Sequence, residues 1–529
     1  MIRGARADNE TELVPAVRNA VSSAADASSP PYGAETRLRA TTAATLIAKL
    51  NDAGVRYCHF KSNAEVAAGV EARTDLDVLC DGRDVGLLEG ILARRGFKRL
   101  PAHPSRRYPG VEDFFGVDDE TGRLVHLHVH YRLIAGARFF KNYHLPWERE
   151  FLDRRVLDEP TGVYVADPAL EWLLLACRAA LKIRWRDWAR AATGSGRGGS
   201  GGLRREHHWL ATRVDRAAPR GDASRLLGPP AADLVAAVIA DDLAFRRLRA
   251  LRRELLRSPG VPRAHGSIGA LRLRWTREVR WIVGTINRRY LHRPFPYARS
   301  GSAGGVTIAV IGSDGAGKST VAAALHTWLA GKVDVVPVYL GSGQGRSSIL
   351  RSPLKLALQL VRRPPTERRL GPEERRTRDI TLARAVWAVA LAREKRSKLR
   401  TVVRARERGF VVICDRYPQT QIGGVNDGPL LWQWTESPSR VRRSLAQWER
   451  RIYGAAAATS PDLVVRLLVS PETAGARRPD DDPRELAFRT QLVRGLDFGG
   501  SRYGVVDVDA DADLDTVVLD VKRRVWPAI

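Results

Sequence analysis

The residues best placed to do chemistry form one run: Gly312, Ser313, Asp314, Gly315, Ala316, Gly317, Lys318, Ser319 and Thr320. They satisfy G-x-x-x-x-G-K-[ST], and each residue type has a physical reason to stand there. Glycines let backbone N–H groups curl around phosphate oxygens, and a helix starting at the lysine adds positive potential. Lys318 is expected to reach the outer phosphates of a nucleoside triphosphate, and Ser319 to hold Mg²⁺. Asp415 closes the apolar run Phe410 to Cys414, where a carboxylate can join the Mg²⁺ shell while Arg416 grips a phosphate. Arg477 and Arg478 form a pair that could close over a transferring phosphoryl group, although a solvated charged loop accounts for them equally well.

A second constellation lies near the N-terminus. Asp75 and Asp77 flank Leu76 on an apolar stretch, so strand alternation puts both carboxylates on one face, where they can hold two Mg²⁺ ions. His126, His128 and His130 alternate with Val125, Leu127 and Val129 and likewise share a face. Same-face strand neighbours lie about 7 Å apart, too far to share an ion without further ligands. The histidines therefore read as partly buried polar positions.

These residues need elements to position them. The stretch Val306 to Ile311 is an apolar strand running into the glycine turn, and an amphipathic helix follows. Further strands are expected at 333–340, 410–415, 462–469 and 505–509 with helices between them, which implies a parallel sheet covered on both faces. Short strands around 55–60, 76–80 and 124–131 with intervening helices suggest a smaller α/β unit. The stretch 168–293 reads as helical, with one helix over 168–185, a second over 231–257 and a third over 267–291, and Gly194 to Gly202 as a flexible loop by composition. The resulting division is a loose tail over 1–35, a small domain over 36–160, a basic helical connector over 161–300 and a final domain over 304–529.

Taken together, Gly312 to Thr320, the run Cys414-Asp-Arg-Tyr-Pro418 and the stretch Pro461 to Arg478 resemble the thymidylate kinase-like branch of the P-loop nucleoside monophosphate kinases, over about 304–529. The resemblance implies an α/β fold with a five-stranded parallel sheet, ATP as donor and Mg²⁺ as cofactor. It implies that Asp314 faces the acceptor's sugar, Asp415 and Arg416 the metal and acceptor phosphate, and Arg477 or Arg478 a lid. Two departures bear on the acceptor. Ile311 stands where that family has a carboxylate, and Pro418 to Pro429 replaces the run that seats the acceptor nucleotide. A hydroxyl acceptor usually needs a base to take its proton, whereas a phosphate oxyanion needs only positioning. A phosphorylated small-molecule acceptor is therefore favoured. Over about 40–135, Lys61-Ser62-Asn63, Asp75-Leu-Asp77 and the later His128 resemble the nucleotidyltransferase superfamily in degenerate form. His128 stands where a third acid is expected.

The chain has 529 residues and a formal charge of +28, carried by 87 Lys+Arg against 59 Asp+Glu. Of that excess, +12 falls in 204–293 and +13 in 342–409, so the charge is local. The second patch suits a polyanionic acceptor. The first could meet nucleic acid or an anionic membrane surface, or dock the two domains. Four scattered cysteines without a C-x-x-C pair argue against zinc and disulfides, and with no signal-like leader or membrane-length apolar run they suggest a cytoplasmic enzyme. The expected activity is an ATP-dependent phosphotransferase fused to a nucleotidyltransferase-like domain of doubtful competence. The alternatives are a kinase of a sugar or cell-envelope intermediate, or an ATP-switched nucleic-acid-binding regulator.

Overall fold

The computed structural model describes residues 41–137, 140–183, 201–287, 290, 293–301, 304–341 and 380–529. The chain divides into two units, Met1–Arg39 and Ala40–Ile529. The expected tail, most of the glycine-rich stretch and 342–379 of the second basic patch lie outside the described residues.

The N-terminal sheet has seven strands: β1 (Tyr57–His59), β2 (Leu76–Cys80), β3 (Lys98–Arg99), β4 (Val111–Val117), β5 (Leu124–His130), β8 (Val156–Asp158) and β9 (Val163–Val165), in the order β3-β4-β5-β2-β1-β9-β8. A separate hairpin pairs β6 (Ile134–Ala137) with β7 (Phe140–His144). Alternation sorts the sheet as the sequence requires. Leu76, Val78, Val125, Leu127 and Val129 are essentially buried in one apolar layer, and Asp75, Asp77 and the histidines face the other way.

Helices cover the sheet. In Pro168–Leu181 the Asp167 carboxylate accepts from Ala169 N and Leu170 N, a cap that leaves Pro168 at the first helical position. Its apolar residues join Phe60 and Leu79 of the sheet region in one cluster with Leu248, Leu251 and Leu255 of the helix Phe245–Arg257, whose Arg252 donates back to Leu181 O at 3.0 Å. The segment read as one helix over 231–257 is broken. Pro229–Ala240 ends in a turn where Asp242 and Leu243 adopt φ of 47° and 58°, and Leu243 N donates to Val238 O. Leu243 is buried in the core directly after the break. A second correction concerns Gly201 and Gly202. They open the helix Gly201–Ala211, because Leu203 and Leu210 bury on the same cluster and outweigh glycine's poor helix propensity. The helix Ser267–Ile286 leaves Ile268, Leu271 and Trp275 exposed. No helix among the described residues is long and apolar enough to cross a membrane.

The C-terminal sheet contains β10 (Val306–Gly312), β11 (Val335–Tyr339), β12 (Val411–Asp415), β13 (Leu463–Leu468) and β14 (Val505–Asp509) in the order β11-β12-β10-β13-β14, every neighbouring pair parallel. The expected five-stranded parallel sheet is present. Its central strands are buried on both faces, between the helices Lys318–Ala330 and Leu514–Val525 on one side and Leu382–Glu407 on the other.

The two sheets share a core: Leu100, Phe115 and Val117 pack in the same cluster as Ile308, Val310 and Leu325. Beside it, Arg299 Nη2 lies 2.9 Å from Asp113 Oδ1, and His126 Nε2 lies 2.8 Å from the same oxygen. Removing Arg299 strands a buried carboxylate. Arg299→Met is expected to cost about 3 kcal/mol, and Asp113→Asn in the same chain to recover part of it. Urea unfolding of the two single variants and the double variant measures both quantities.

Candidate functional site

In β10 and β12, Val310 is opposite Asp415, so the carboxyl ends of the two strands reach the same edge of the sheet. There β10 gives way to the glycine loop. Gly317 adopts φ of 82° just before the helix Lys318–Ala330, a conformation that favours glycine. At Gly315, also with positive φ, a Cβ would come within 3.0 Å of the Ala474 backbone, so only glycine fits. The loop therefore rests on the helix Pro471–Arg477.

Lys318 folds back over this loop, its Nζ 2.5 Å from Ser313 O and 3.7 Å from an Asp314 carboxylate oxygen. Burial, and then the nearby Arg416, push the ammonium down to about 8. Asp314 is gripped from two further sides, by Arg416 Nη2 at 2.9 Å and by Arg489 Nη1 at 2.7 Å. Burial disfavours its charge, but Lys318, Arg416 and Arg489 together hold the carboxyl well below the usual range.

Ser319 Oγ donates to Asp415 Oδ2 at 2.6 Å, and Asp415 Oδ1 is buried with no hydrogen-bond partner. Burial raises the Asp415 pKa against the pull of Ser319 and Arg416. A hydroxyl and an orphaned, destabilised carboxylate oxygen side by side at the phosphate loop fit a Mg²⁺ ion, with Ser319 and Asp415 as its protein ligands.

Sequence reasoning missed three members of this edge. Arg489 lies on the helix Pro483–Arg494 and is aimed by Glu485, 2.7 Å away; the i,i+4 Glu–Arg spacing was the available signal. Asp427 lies 3.6 Å from Arg416 and 3.7 Å from Lys395, a lysine buried in the long helix Leu382–Glu407. No local pattern announces either. The paired arginines are placed otherwise than a lid over the loop. Arg477 Nη1 reaches back to the carbonyls of Ala510 (2.8 Å) and Gly315 (3.3 Å), and Arg478 is exposed. Beside Lys318 and Arg416 lies a narrow cleft, walled by Val493, Leu496 and Phe498 and floored by Asn426 and Asp427. Arg416, Asn426 and Asp427 all have positive φ, so the backbone lining the cleft is strained.

The N-terminal carboxylates are not brought to a shared ion. Asp75 pairs with Lys332 at 2.6 Å and His126 at 3.0 Å. Asp77 pairs with Lys61 at 2.7 Å and His128 at 3.0 Å. Asp77, His128 and His130 do offer ligand atoms within 4.8 Å of one another, closer than strand spacing suggested, because the His128 and His130 rings lean together to 3.3 Å and Asp77 stands opposite His128 on β2. The Lys61 ammonium already neutralises that carboxylate. The residues present do not fit a two-Mg²⁺ centre.

No family model matches the chain. The chain is 32% identical over 226 residues to the uncharacterized ATP-binding protein YghR of Escherichia coli, a match covering 41% of this chain and 86% of that protein. It is 27% identical over 230 residues to the uncharacterized ATP-binding protein YghS of Escherichia coli, covering 42% and 93%. Among solved structures, a deoxyadenosine kinase from M. mycoides with bound dATP is similar at 13% identity and a TM-score of 0.25, over 42% of this chain and 98% of that one. A thymidylate kinase from Ehrlichia chaffeensis is similar at 16% identity and a TM-score of 0.25, over 42% and 97%.

A lysine whose charge is penalised by its surroundings destabilises the fold that holds it. Because the folded-state pKa of Lys318 lies below its unfolded value, the penalty is full below about pH 8 and fades as pH rises towards the unfolded value. At pH 7, Lys318→Met is expected to stabilise the ligand-free protein by about 1–2 kcal/mol while removing nucleotide binding. The gain should shrink by pH 10. Thermal melts at the two pH values, with and without ATP, check this.

Proposed function

Since the chain belongs, through the matched stretch, to the family of the YghR ATP-binding proteins, we propose that its five-stranded sheet carries an ATP-dependent phosphotransferase acting on a phosphorylated small molecule. The observation that carries this reading is the caging of Asp314 by Lys318, Arg416 and Arg489. A carboxylate held so firmly ionised is a poor proton acceptor, so Asp314 is not suited to act as the base for a hydroxyl acceptor. The edge offers cations instead. An acceptor that already bears a phosphate oxyanion needs no deprotonation, and Arg416 is placed to orient it.

Each residue then has a role that follows from its position. The backbone N–H groups of 313–319 receive the β- and γ-phosphates, and Lys318 swings from Ser313 O to the transferring phosphoryl group. Ser319 and Asp415 hold Mg²⁺, which supplies charge neutralisation on the phosphate oxygens. Arg416 stays protonated despite burial because Asp427 and Asp314 flank it, and it grips the acceptor phosphate. Arg489 follows the developing charge on the γ-phosphoryl group from the opposite side. Val493, Leu496 and Phe498 give the acceptor an apolar surface. Gln419 closes the Pro418-to-Pro429 loop on itself, its amide nitrogen donating to Ile422 O and its carbonyl accepting from Ile422 N. Acceptor selectivity is assigned to the cleft that this loop floors.

The test is ADP formation from ATP and Mg²⁺ with a panel of nucleoside monophosphates and sugar phosphates. At least one phosphorylated acceptor should raise ADP release. Lys318→Ala and Asp415→Asn should each lower that rate by about 10²-fold or more. Arg416→Ala should mainly raise KM for the acceptor. Acid should slow the reaction, because a proton on Asp415 competes with the metal and burial has raised that group's pKa. Failure of every phosphorylated acceptor to exceed the Lys318→Ala background would remove the proposal.

A further inference from the structure

The N-terminal unit contains a second, small cleft, of about 60 Å³, at the end of β1 where the hairpin β6–β7 meets the helix Pro168–Leu181. Four cations converge on it from three elements: Lys61 beyond β1, Lys141 on β7, and Arg178 and Lys182 at the end of the helix. Phe60, Leu133 and Leu174 form an apolar wall beside them.

The charges facing this cleft do not cancel. Asp77 neutralises Lys61 at 2.7 Å, and Glu206 neutralises Arg178 at 3.2 Å. Glu171, behind Asn63, is pushed up to about 8 by burial and by Glu206, so it is protonated at neutral pH and adds no negative charge. His130 and His128 are held neutral, chiefly by burial. Lys141 and Lys182 make no ion pair among the described residues, and the Lys141 ammonium lies over the Tyr108 ring, 4.9 Å from its centroid. Burial, and then the neighbouring cations Lys61 and Arg178, hold both ammonium groups down to about 7, so each is only part-charged at neutral pH before an anion arrives. Two lysines without ion pairs, which take up their full charge as an anion enters, face a pocket with one apolar wall and are complementary to a dianion attached to a small organic group.

We propose that this cleft is a metal-independent binding site for the phosphate end of a small phosphorylated molecule, separate from the phosphate loop. Lys141 and Lys182 supply the neutralising charges, and Arg178 and Lys61 turn N–H groups towards the same oxygens without leaving Asp77 and Glu206. Asp77 bears on the site only through Lys61, which it neutralises. The site does not depend on the kinase reading, since none of its residues touches the glycine loop.

Calorimetric titration of the full-length Lys318→Ala variant in EDTA tests it, with inorganic phosphate, pyrophosphate and adenosine monophosphate as probes. The expected result is one site per chain that survives both EDTA and Lys318→Ala. Its affinity should fall at least tenfold in Lys141→Met/Lys182→Met, whose melting temperature without probe should match or exceed that of the parent. Tighter binding of adenosine monophosphate than of the inorganic anions would assign the apolar wall to the organic group, and the reverse order would assign the site to a free anion. Absence of binding, binding that requires Mg²⁺, or binding unchanged in the double variant overturns the proposal. If that variant fails to fold, hydrogen exchange on the unaltered chain with pyrophosphate decides: protection at 60–61, 134–136 and 141 supports the site, and protection confined to 312–320 overturns it.

Discussion

Three cations, Lys318, Arg416 and Arg489, can stand within 4 Å of one carboxylate group only because Asp314 lies between them. Bare, they would repel one another in a partly desolvated pocket. With Asp314 in place each is positioned before any phosphate arrives, and a second tier repeats the device: Asp427 sits between Arg416 and the buried Lys395. The edge of the sheet is thus a lattice of alternating charges whose outermost members are positive. An entering phosphate therefore meets cations that are already positioned.

The C-terminal fold was largely legible because its signals are local. Strand, glycine turn and helix follow one another within fifteen residues at 306–320, and the apolar runs that became β12, β13 and β14 are bounded by turn residues. Lys318, Ser319, Asp314 and Asp415 were legible for the same reason. Arg489 and Asp427 were not, since their roles arise from helix and loop packing across 175 and 11 residues of chain respectively. The arginine pair shows the converse. Arg477 looked functional from its charge, yet its guanidinium spends itself on the carbonyls of Gly315 and Ala510 and secures the loop from behind.

In the N-terminal unit, alternation correctly placed Asp75, Asp77 and the three histidines on one face. It could not say what faces them. Tertiary contacts divide that face in two: Asp75 and His126 lie against Lys332 at the junction with the second sheet, and Asp77, His128 and His130 lie towards the cationic cleft. Strands β4, β8 and β9 escaped notice because β8 and β9 span three residues each and β4 mixes acids with aromatics. The helix over Gly201–Ala211 escaped because composition spoke for a loop, and only burial of Leu203 and Leu210 reversed it.

The contact of Arg299 with Asp113 has an evolutionary reading. These residues are 186 positions apart and belong to opposite halves, and the carboxylate is nearly buried. Neither can drift alone without leaving a charge stranded, so substitutions at 113 and 299 should arise together across descendants of this chain. Chains that carry the second half without the first are released from that bond. In them, position 299 becomes an ordinary surface site, free to vary, and the face that here receives Phe115 must be polar or find another cover. Covariation of 113 with 299 would therefore mark how long the two halves have been inherited as one gene product.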